Sequence, residues 1–494
     1  MARLLFLQNH GYPFLGPMYI SAALKRAGHD CRLAIGNKLS QFAPVLESYR
    51  PDLVGFSVMT GGHNWAAGLA AQIKRTYGIA AVFGGPHPTY YPQFVAENSV
   101  DLLVRGEGEL AVVEILDRLD RLARSCELSG SGQTLDIQAA IASGAFDGIA
   151  NVCFKREGKV VEHSVRPLIE DIDTLPWPDR GLYPRRAGGL DEGVQCVLTA
   201  RGCPYSCSFC FEESMRRLYQ GKGLALRIRG VGAVIEECRQ LKEQYGAKTI
   251  YFADDVFGVN IEWLYEFLES YKQRIGLPFL CMARANIVAS DPQYARRLAE
   301  AGCRAVFFGI ESGNEQIRNK VLNKRLTDRD IYEAADLLHK AGIRFRTYNI
   351  MGLPDETLND ALATLEMNIR IKADYPWCSI YAPYPGTSLA DYARQRHYLA
   401  ADFDFAAMSE SFFVRSALRM KHIRQLQNLQ KFFQTGVLWP WTLPLIRRLI
   451  HLPPNPLFTL WFGFVYFLVF LRSENRSFWK TLPFALDNAR HLLK

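Results

Sequence analysis

The sequence predicts an α/β chain with two strand–helix modules followed by a helical region, and three observations support this prediction. Short apolar runs alternate with helical patterns from Arg3 to about Leu122. The alternation starts again near Gln195 and continues to about residue 400. From Ala401 onward, apolar and basic helical patterns replace it. Alternation of this kind is typical of parallel sheets covered by helices, and 494 residues predict two to four domains.

The composition narrows the class of protein. Lysine and arginine are spread along the chain without a polybasic run, so the net charge of +8 does not indicate nucleic-acid binding. Eight of the eleven cysteines stand alone in the sequence, which argues against a disulfide framework. No signal-peptide pattern precedes the first strand, so we expect a reducing cytoplasm.

The first module, residues 1–125, is predicted to be a doubly wound, Rossmann-like parallel sheet. Its five candidate strands are Leu4–Leu7, Cys31–Ile35, Leu53–Val58, Ala80–Phe83 and Leu102–Val104. Ligands of such sheets bind at the carboxyl ends of the strands. Glycine-rich segments follow three of these strands, at 55–62, 84–89 and 105–109. Each segment alone also fits an ordinary tight turn.

Residues 126–194 are predicted to be a linker that contains a small hairpin within Ile149–Val165. The second module, residues 195–400, is predicted to be a partial (β/α)6 barrel. Its candidate strands are Cys196–Thr199, Thr249–Ala253, Phe279–Met282, Ala305–Gly309, Phe345–Met351 and Cys378–Tyr381. The residues that directly follow barrel strands are the candidates for chemistry.

Three cysteines after the first barrel strand carry the strongest chemical signal. Cys203, Cys207 and Cys210 have the spacing Cys-x3-Cys-x2-Cys, with Phe209 directly before the last. Thiolates ligate iron–sulfur clusters, and three ligands in one loop leave one iron of a cubane open. A zinc knuckle, a disulfide with a spare thiol and chance are the alternatives. Zinc normally needs a fourth Cys or His, and no matching pair follows.

This motif resembles that of the radical S-adenosylmethionine (SAM) superfamily. With the glycine segments before it, the chain resembles the cobalamin (B12)-dependent branch, which contains methylases and anaerobic cyclases, over residues 1–400. The resemblance implies a [4Fe–4S] cluster on Cys203, Cys207 and Cys210, SAM, and cobalamin as methylcobalamin. Reduction of SAM at the open iron would then yield a 5′-deoxyadenosyl radical, and methylcobalamin would supply a methyl group to a substrate carbon.

The resemblance also implies which residues contact SAM. They follow successive barrel strands: Phe209 against the adenine, Asp254 and Asp255, Arg284, Glu311, and Met351 with Gly352. The paired acids depart from the Gly-Gly-Glu that the family often carries there, and a helix N-cap is the alternative for them. For Arg284 the alternative is a salt bridge to the same pair. An acid at the end of an apolar strand is costly unless it is paired, which makes Glu311 the stronger candidate.

Cobalamin contacts are implied at the strand ends of the first module, by Ser57, Thr60, Gly84, Gly85, Pro86 and Glu107. The wider cobalamin fold often carries Asp-x-His-x-x-Gly after the first strand, with the histidine below cobalt. Pro13 stands where that histidine would be, and His10 is out of register. We therefore expect base-off cobalamin with no histidine ligand.

The last part, residues 401–494, is predicted to be helical and hydrophobic. Ser416–Phe433 has a basic amphipathic pattern, Leu443–Ile450 follows, and Asn455–Leu471 is apolar for about sixteen residues. A transmembrane helix needs about twenty. An interfacial helix, a lid over an apolar substrate and a buried cap on the barrel all fit this pattern.

The predicted function is methylation of an unactivated carbon in a small hydrophobic substrate, in an anaerobic setting. Tetrapyrroles, hopanoids or other lipids, and antibiotic precursors all fit. The alternatives are a non-methylating radical SAM enzyme, such as an anaerobic oxidative ring cyclase, and a cobalamin-binding regulator. The expected partners are an external electron donor (flavodoxin or ferredoxin) and, through the C-terminal region, the cytoplasmic face of a membrane.

Overall fold

Two sheets organise the chain in the computed structural model, which describes residues 1–97, 99–128, 136–183, 193–408, 411, 413, 415–473, 478–479 and 481–482. The chain divides into two compact units. The first comprises Met1–Asp191, Ser214–Leu224 and Asp404–Ser409, and the second comprises Glu192–Glu213, Ala225–Phe403 and Glu410–Lys494.

The first unit contains a seven-stranded sheet. Its strands are β1 (Arg3–Gln8), β2 (Asp30–Ile35), β3 (Leu53–Ser57), β4 (Ala80–Gly84), β5 (Leu102–Val104), β6 (Val152–Arg156) and β7 (Lys159–Glu162). Its helices are α1 (Leu15–Arg26), α2 (Leu39–Tyr49), α3 (His63–Tyr77), α4 (Pro86–Tyr90), α5 (Glu109–Leu128) and α6 (Ile137–Ala142). The spatial order is β2-β1-β3-β4-β5-β6-β7, and the first five strands pair in parallel.

Alternating apolar side chains place this sheet between two cores. Leu4 and Phe6 of β1 point into one buried cluster, and Leu5 and Leu7 point into the other, as the two-residue period of a strand requires. The order 2-1-3-4-5 reverses direction between β1 and β3. A reversal of this kind opens a ligand crevice outside the carboxyl ends of the strands.

The hairpin that the sequence predicts within Ile149–Val165 is β6 and β7, and it pairs with the first sheet. Residues Leu102–Val104 of β5 pair antiparallel with Val152–Phe154 of β6. The first compact unit therefore runs past residue 125 and includes the hairpin, which completes the sheet. Apolar alternation in a short hairpin does not reveal which sheet edge it joins.

The second unit contains a six-stranded parallel sheet in the order β15-β14-β13-β12-β11-β8. Its six strands are β8 (Val194–Val197), β11 (Thr249–Phe252), β12 (Phe279–Met282), β13 (Cys303–Glu311), β14 (Arg344–Met351) and β15 (Tyr375–Ile380). Two short strands, β9 (Ala200–Arg201) and β10 (Arg227–Ile228), form a separate antiparallel pair. The helices between these strands and directly after the last strand are α7 (Phe211–Leu218), α8 (Val231–Gln244), α9 (Ile261–Arg274), α10 (Ala285–Ser290), α11 (Pro292–Glu300), α12 (Asp328–Lys340), α13 (Leu358–Arg370) and α14 (Ser388–Gln395).

Each large strand of this sheet pairs with its neighbour in sequence, so the sheet is a partial barrel with β8 and β15 at its edges. Local sequence signals start its helices. Thr327 and Asp330 form a reciprocal capping box at α12, and Thr357 and Asp360 do the same at α13. The α/β fold class and the partial barrel predicted from the sequence are confirmed.

Three C-terminal helices pack on the second unit: α15 (Ile423–Leu438), α16 (Leu443–Leu449) and α17 (Pro456–Ser473). The ring of Phe432 in α15 lies 4.8 Å from that of Phe458 in α17. The indole N–H of Trp461 donates to Thr435 Oγ1 at 2.9 Å. By length and composition alone, α17 is the one helix of the described chain that is long and apolar enough to cross a membrane.

Candidate functional site

A glycine turn leads the chain into the three-cysteine loop. Gly202 has φ of +87°, and a Cβ at this position would lie 2.0 Å from the carbonyl oxygen of Ala225, so only glycine fits. The loop turns again where the Cys210 N–H donates to the Cys207 carbonyl at 3.0 Å. Cys203 and Cys207 are buried, Cys210 is half-buried, and all three are free thiols.

A second loop, after β13, holds the cysteine loop in place. The Ser208 N–H donates to the Leu322 carbonyl at 3.0 Å, and the Ser208 hydroxyl donates to the Val321 carbonyl at 2.7 Å. The side-chain amide of Asn323 donates to the Ser206 carbonyl at 2.8 Å. One turn of π-helix leads into this loop, and such turns often accompany functional sites. These contacts fix the cysteine loop from a different part of the sheet.

The three thiols fit a cluster better than a single metal ion. Burial raises the pKa of the Cys203 thiol to about 11 and raises the pKa of Cys210 well above its usual value, so both stay protonated until a metal centre displaces the proton. Among the described residues, no three Cys, His, Asp or Glu side chains converge closely enough to hold one metal ion. In a cubane each thiolate binds a different iron, so such convergence is not required.

Arg284, which follows β12, lies against the cysteine loop. Its guanidinium carbon is 3.6 Å from the centre of the Tyr205 ring, and its Nη1 is 3.8 Å from Cys207 Sγ. Its Nε donates to Asn286 Oδ1 at 3.0 Å, and Nη2 donates to the carbonyl of Lys324. The guanidinium is therefore placed to offset negative charge on the cysteine sulfur. Its hydrogen bonds in the described structure do not go to the Asp254–Asp255 pair.

The two acids after β11 have different surroundings. The Asp254 carboxylate is buried and accepts hydrogen bonds from the backbone N–H groups of Thr199 and Ala200, at 2.7 and 2.6 Å, and from the Thr199 hydroxyl at 2.9 Å. Burial raises the pKa of Asp254 to about 7. Asp255 is exposed. Asp254 fixes the backbone before the cysteines, and Asp255 is the member of the pair that faces outward.

Glu311 forms a buried ion pair that the sequence did not predict. Its Oε1 accepts from Lys324 Nζ at 2.9 Å, and both side chains are 7% exposed. Oε2 accepts no hydrogen bond from the described residues. This oxygen is not fully buried, so solvent can reach it. Glu311 has a φ of +66°, in the left-handed region of backbone conformation. A Cβ at Gly309 would lie 1.9 Å from Glu311 Oε1, so the carboxylate occupies the space that a side chain at position 309 would need. Lys324 Nζ also lies 5.9 Å from the centre of the Phe209 ring.

The turn after β14 is closed by a residue that the sequence analysis passed over. Oε2 of the buried Glu356 accepts from the N–H groups of Gly352 and Leu353 at 2.6 and 3.2 Å. Burial raises the pKa of Glu356 to about 8. Met351 is fully buried, and its carbonyl accepts from the Tyr381 N–H at 2.8 Å.

Contacts thus connect Cys207, Arg284, Lys324, Glu311 and Phe209 in one continuous group at the carboxyl end of the second sheet. Asp254 joins it through the backbone that leads into the cysteine loop, and Met351 and Gly352 lie in a separate turn. Lys324 carries no sequence signal because it is thirteen residues past the strand end that marks Glu311. An acid with one oxygen paired and the other open can accept hydrogen bonds from a cationic or hydroxyl group of a ligand.

The ends of β3 and β4 in the first sheet contain small and neutral groups. Gly85 has φ of +96°, and a Cβ there would lie 2.8 Å from the Val58 carbonyl oxygen and 2.9 Å from the Val58 nitrogen. Ser57 pairs with Gly84 in the sheet, and Pro86 begins α4. These residues stand where β3 and β4 end, beside the order reversal, and a ligand can approach the backbone closely there.

Two stacked histidines, which the sequence did not predict, lie in the helices that follow β3 and β4. The rings of His63 and His87 stack with centroids 3.9 Å apart, and Thr60 Oγ1 lies 3.0 Å from His87 Nδ1. His87 is fully buried, its Nε2 has no hydrogen-bond partner among the described residues, and burial lowers its pKa to about 3. The Thr60 hydroxyl is therefore held by a neutral imidazole.

Two further residues of the first unit have structural contacts. Glu107 Oε2 accepts from the Ile169 N–H at 3.3 Å. His10 stays in the loop after β1, where Gln8 Nε2 lies 3.0 Å from its Nδ1 and its ring meets Phe14 edge-on at 4.9 Å.

Two family models match the chain, the radical SAM superfamily over residues 197–367 and the B12 binding domain over residues 11–116. An uncharacterized methyltransferase, PH0819 of Pyrococcus horikoshii, is 33% identical over 393 residues, which are 77% of this chain and 78% of that protein. The anaerobic magnesium-protoporphyrin IX monomethyl ester cyclase of Rubrivivax gelatinosus is 27% identical over 75% of this chain and 64% of that protein.

A solved structure has a similar fold. The radical SAM methyltransferase TsrM of Kitasatospora setae matches with a TM-score of 0.61 and 20% identity, over 81% of this chain and 77% of that one. The B12 binding match covers the strand ends of the first sheet, and the radical SAM match covers the cysteine loop and Glu311. The chain belongs to the cobalamin-dependent radical SAM enzymes, whose cofactors are a [4Fe–4S] cluster, SAM and cobalamin.

Proposed function

We propose that this enzyme is a methyltransferase that acts on an unactivated carbon of a small, hydrophobic substrate. The observation that carries the proposal is the intact three-cysteine loop, held against Arg284 in a chain that also has a B12 binding domain. The likeness to PH0819, a methyltransferase by name, supports methylation. When bound, the cluster and SAM supply radical chemistry and cobalamin supplies the methyl group.

In this proposal, charged side chains of the second unit bind and orient SAM. Glu311 offers Oε2 to the amino-acid or ribose part while Lys324 holds Oε1. Asp255 offers a second, outward-facing carboxylate to the ammonium group, and Phe209 offers its ring to the adenine. Opposite charges that meet in a partly dry site interact strongly.

Three other predicted contacts act through the backbone or through the cluster loop. Asp254 holds the strand that enters the cysteine loop, and Arg284 stabilises negative charge on Cys207. Met351 and Gly352 shape the turn after β14, in which Glu356 already accepts from the N–H groups of Gly352 and Leu353. We propose that these residues position the SAM site, with the turn offering its backbone to the adenine.

We further propose that cobalamin contacts Ser57, Thr60, Gly84, Gly85, Pro86 and Glu107. Small groups at the ends of β3 and β4 let a bulky ligand approach the backbone. No histidine stands at the position of Pro13, and His10 is engaged with Gln8 and Phe14. These contacts support base-off binding without a histidine below cobalt.

The proposal includes a flavodoxin or ferredoxin as the external electron donor and a cytoplasmic setting. A reduced, oxygen-poor compartment keeps cluster thiols available. The apolar character of the C-terminal helices supports a hydrophobic substrate and contact with a membrane.

A second candidate is a non-methylating ring oxidation, and the likeness to the Rubrivivax cyclase favours it. Both candidates use the same cysteine loop and SAM contacts. They differ in whether a methyl group leaves SAM, so that transfer is the property to measure.

The test uses full-length protein reconstituted without oxygen with iron, sulfide and cobalamin. SAM with a deuterated methyl group and a reductant are added, and mass spectrometry measures whether the label enters the bound cobalamin. The matched control is Cys207→Ala loaded with cobalamin in the same way.

Label in the cobalamin supports methylation and directs a substrate search to lipid extracts. Unlabelled cobalamin together with accumulating 5′-deoxyadenosine overturns methylation and favours the ring oxidation. Absence of both products from protein with a full complement of iron contradicts the two candidates together.

A further inference from the structure

Helix α17 exposes an apolar face that the fold does not cover. Leu457, Leu460, Trp461 and Phe464 are 73%, 62%, 41% and 51% exposed. Their spacing of i, i+3, i+4 and i+7 puts them on one side of the helix. The opposite side, with Phe462, Val465 and Val469, is buried. The helix is therefore apolar all round, although only half of it faces protein.

More exposed apolar side chains lie in the segments that neighbour α17 in sequence. Trp441, just before α16, is 79% exposed, and Leu445 on α16 is 56% exposed. The exposed Arg448 follows Leu445 by about one helical turn. Leu452 and Trp479 are exposed as well. Nine of the sixteen large hydrophobic side chains that the described chain exposes lie between residues 441 and 479. Such clustering marks an interaction surface and not ordinary scatter.

The charge of this region has one sign. Residues 411–473 contain eight lysines and arginines and no aspartate or glutamate. The net charge of this segment, +8, equals the net charge of the whole chain. Arg447 and Arg448 on α16 and Arg472 in the last turn of α17 are exposed, and of these Arg447 pairs with Glu366 of α13 at 2.7 Å. Four more exposed basic residues lie before α15 or in its first turn: Arg415, Arg419, Lys421 and Arg424. Tryptophans beside an apolar face, with arginines around them, are typical of helices that lie in a membrane interface.

We propose that the surface formed by Trp441, Leu445 and the outer face of α17 docks onto the surface of a bilayer that contains anionic lipid. Apolar side chains enter the headgroup boundary, and the exposed arginines meet lipid phosphates. This inference deepens the proposed function, because it places the barrel at the source of an apolar substrate. The binding itself does not depend on which reaction the enzyme performs.

The packing of α17 favours lying on the membrane over crossing it. Eighteen residues span about 27 Å, slightly less than the hydrocarbon core of about 30 Å. The helix is attached to α15 by the Phe432–Phe458 ring contact and by the hydrogen bond from the Trp461 indole N–H to Thr435. A span would have to leave those partners.

A second copy of the chain is a poorer occupant of this surface. In a symmetric dimer each patch would face the same patch. The exposed arginines around it would then meet like charges, which disfavours association. An anionic leaflet offers the opposite charge and an apolar interior together.

The first test is flotation of the reconstituted full-length enzyme with vesicles of three parts phosphatidylcholine to one part phosphatidylglycerol, and with phosphatidylcholine alone. We expect binding at 0.1 M salt to be at least tenfold stronger to the anionic vesicles. One molar salt should remove most of that difference, because it shortens the screening length to about 3 Å. Equal binding to both vesicles at both salt concentrations overturns the electrostatic part.

Variants locate the surface. Leu460→Glu should weaken vesicle binding about 10- to 100-fold, since it removes one apolar anchor and adds a repelled charge. Arg448→Gln should weaken binding to anionic vesicles about fivefold and leave binding to neutral vesicles unchanged. Leu224→Glu, an equally exposed leucine of the first unit, is the matched control and should bind as the parent does.

The outcomes separate this inference from the proposed function. Wild-type protein that binds no vesicle, or Leu460→Glu that binds as tightly as the parent, overturns the docking surface. Light scattering that finds a dimer of the parent and a monomer of Leu460→Glu assigns the surface to a second copy instead. Methyl transfer to cobalamin, measured in lipid-free solution, is expected to be the same in the parent and in Leu460→Glu.

Discussion

The carboxyl ends of β3 and β4 in the first unit differ in charge from the strand ends of the second unit. The ends of β3 and β4 contain hydroxyls, glycines and the stacked His63–His87 pair, and the buried His87 is neutral because burial lowers its pKa to about 3. The strand ends of the second unit contain Arg284, the Glu311–Lys324 pair and the buried Asp254.

The difference shows how the side chains at each strand end can be kept in position before a ligand binds. Neutral groups can be buried without a counter-charge, so the first end can be shaped by close backbone contact alone. Buried charges must be paired, so the second end needs partners such as Lys324, which lie far from the strand ends in sequence. We therefore expect the second end to be the more sensitive to single substitutions that change charge.

The largest expected effect comes from the cysteine loop. Cys207→Ala should reduce the iron and acid-labile sulfide of reconstituted protein to background, because two thiolates do not replace three in holding a cubane. Cobalamin uptake, followed by its absorbance, should be unchanged because the first unit is untouched. Cys196→Ala, at a half-buried cysteine of β8, is the control and should keep its iron. Full iron in Cys207→Ala would contradict the assignment of the cluster.

The next largest effect concerns the buried ion pair. Lys324→Met leaves the Glu311 carboxylate buried without its partner, so the free energy of unfolding of this region should fall by about 3–5 kcal/mol. Hydrogen exchange in peptides from β13 measures that change locally. SAM affinity should fall as well, because Lys324 positions Oε1.

Two further variants make this result specific. In Glu311→Gln/Lys324→Met both charges are removed, and most of the lost stability should return while SAM affinity stays low. Lys340→Met breaks an exposed ion pair with Asp336 on α12 and should change stability by less than about 1 kcal/mol. If Lys324→Met behaves like Lys340→Met, the pair has no special role.

The sequence predicts the fold well because strand–helix periodicity is local. β12 has the predicted bounds, Phe279–Met282, and the other barrel strands start or end within a few residues of the prediction. The cysteine loop is equally readable, since its spacing is a property of one short segment. The hairpin is the instructive difference, because its strands were visible but its pairing with β5 was not.

Side-chain partners of the candidate site are much less readable from the sequence. Asp254 and Asp255 are adjacent and look equivalent, yet one binds backbone N–H groups and the other faces outward. Lys324 and Glu356 lie in loops, where no periodicity indicates which strand end they reach. These roles depend on contacts between segments that the fold brings together, so only the three-dimensional structure reveals them.

The two ends should respond to pH in opposite directions. The pKa of His87 is lowered to about 3 by burial, so below its unfolded value of 6.5 the unfolded chain binds the proton and the native state does not. Stability of the first unit should fall as pH drops, by about 2 kcal/mol between pH 7 and pH 5. The pKa of Glu356 is raised to about 8, so native Glu356 holds its proton where the unfolded chain has lost it. Its contribution falls as pH rises from 4.5 through 8.

Hydrogen exchange at pH 5 and pH 7, corrected for the intrinsic exchange rate, measures both responses in one sample. Peptides from β3 and β4 should be better protected at pH 7, and peptides from β14 should be better protected at pH 5. His87→Asn should remove the response of the first unit and leave that of the second. Glu356→Gln should reduce the response of the second unit without abolishing it, because the raised pKa of Asp254 acts in the same direction there. A common direction in both units would contradict the contrast between the two ends.

The smallest expected effect distinguishes two adjacent glycines of the neutral end. Gly85→Ala places a Cβ 2.8 Å from the Val58 carbonyl oxygen at φ of +96° and should destabilise the first unit by at least about 1–2 kcal/mol. Gly84→Ala meets nothing nearer than 3.7 Å and should be close to neutral in stability. Cobalamin titration of both variants then separates turn geometry from ligand contact. If Gly84→Ala keeps its stability but loses cobalamin, the small residue is needed by the ligand; if only Gly85→Ala loses it, the turn alone shapes this end of the sheet.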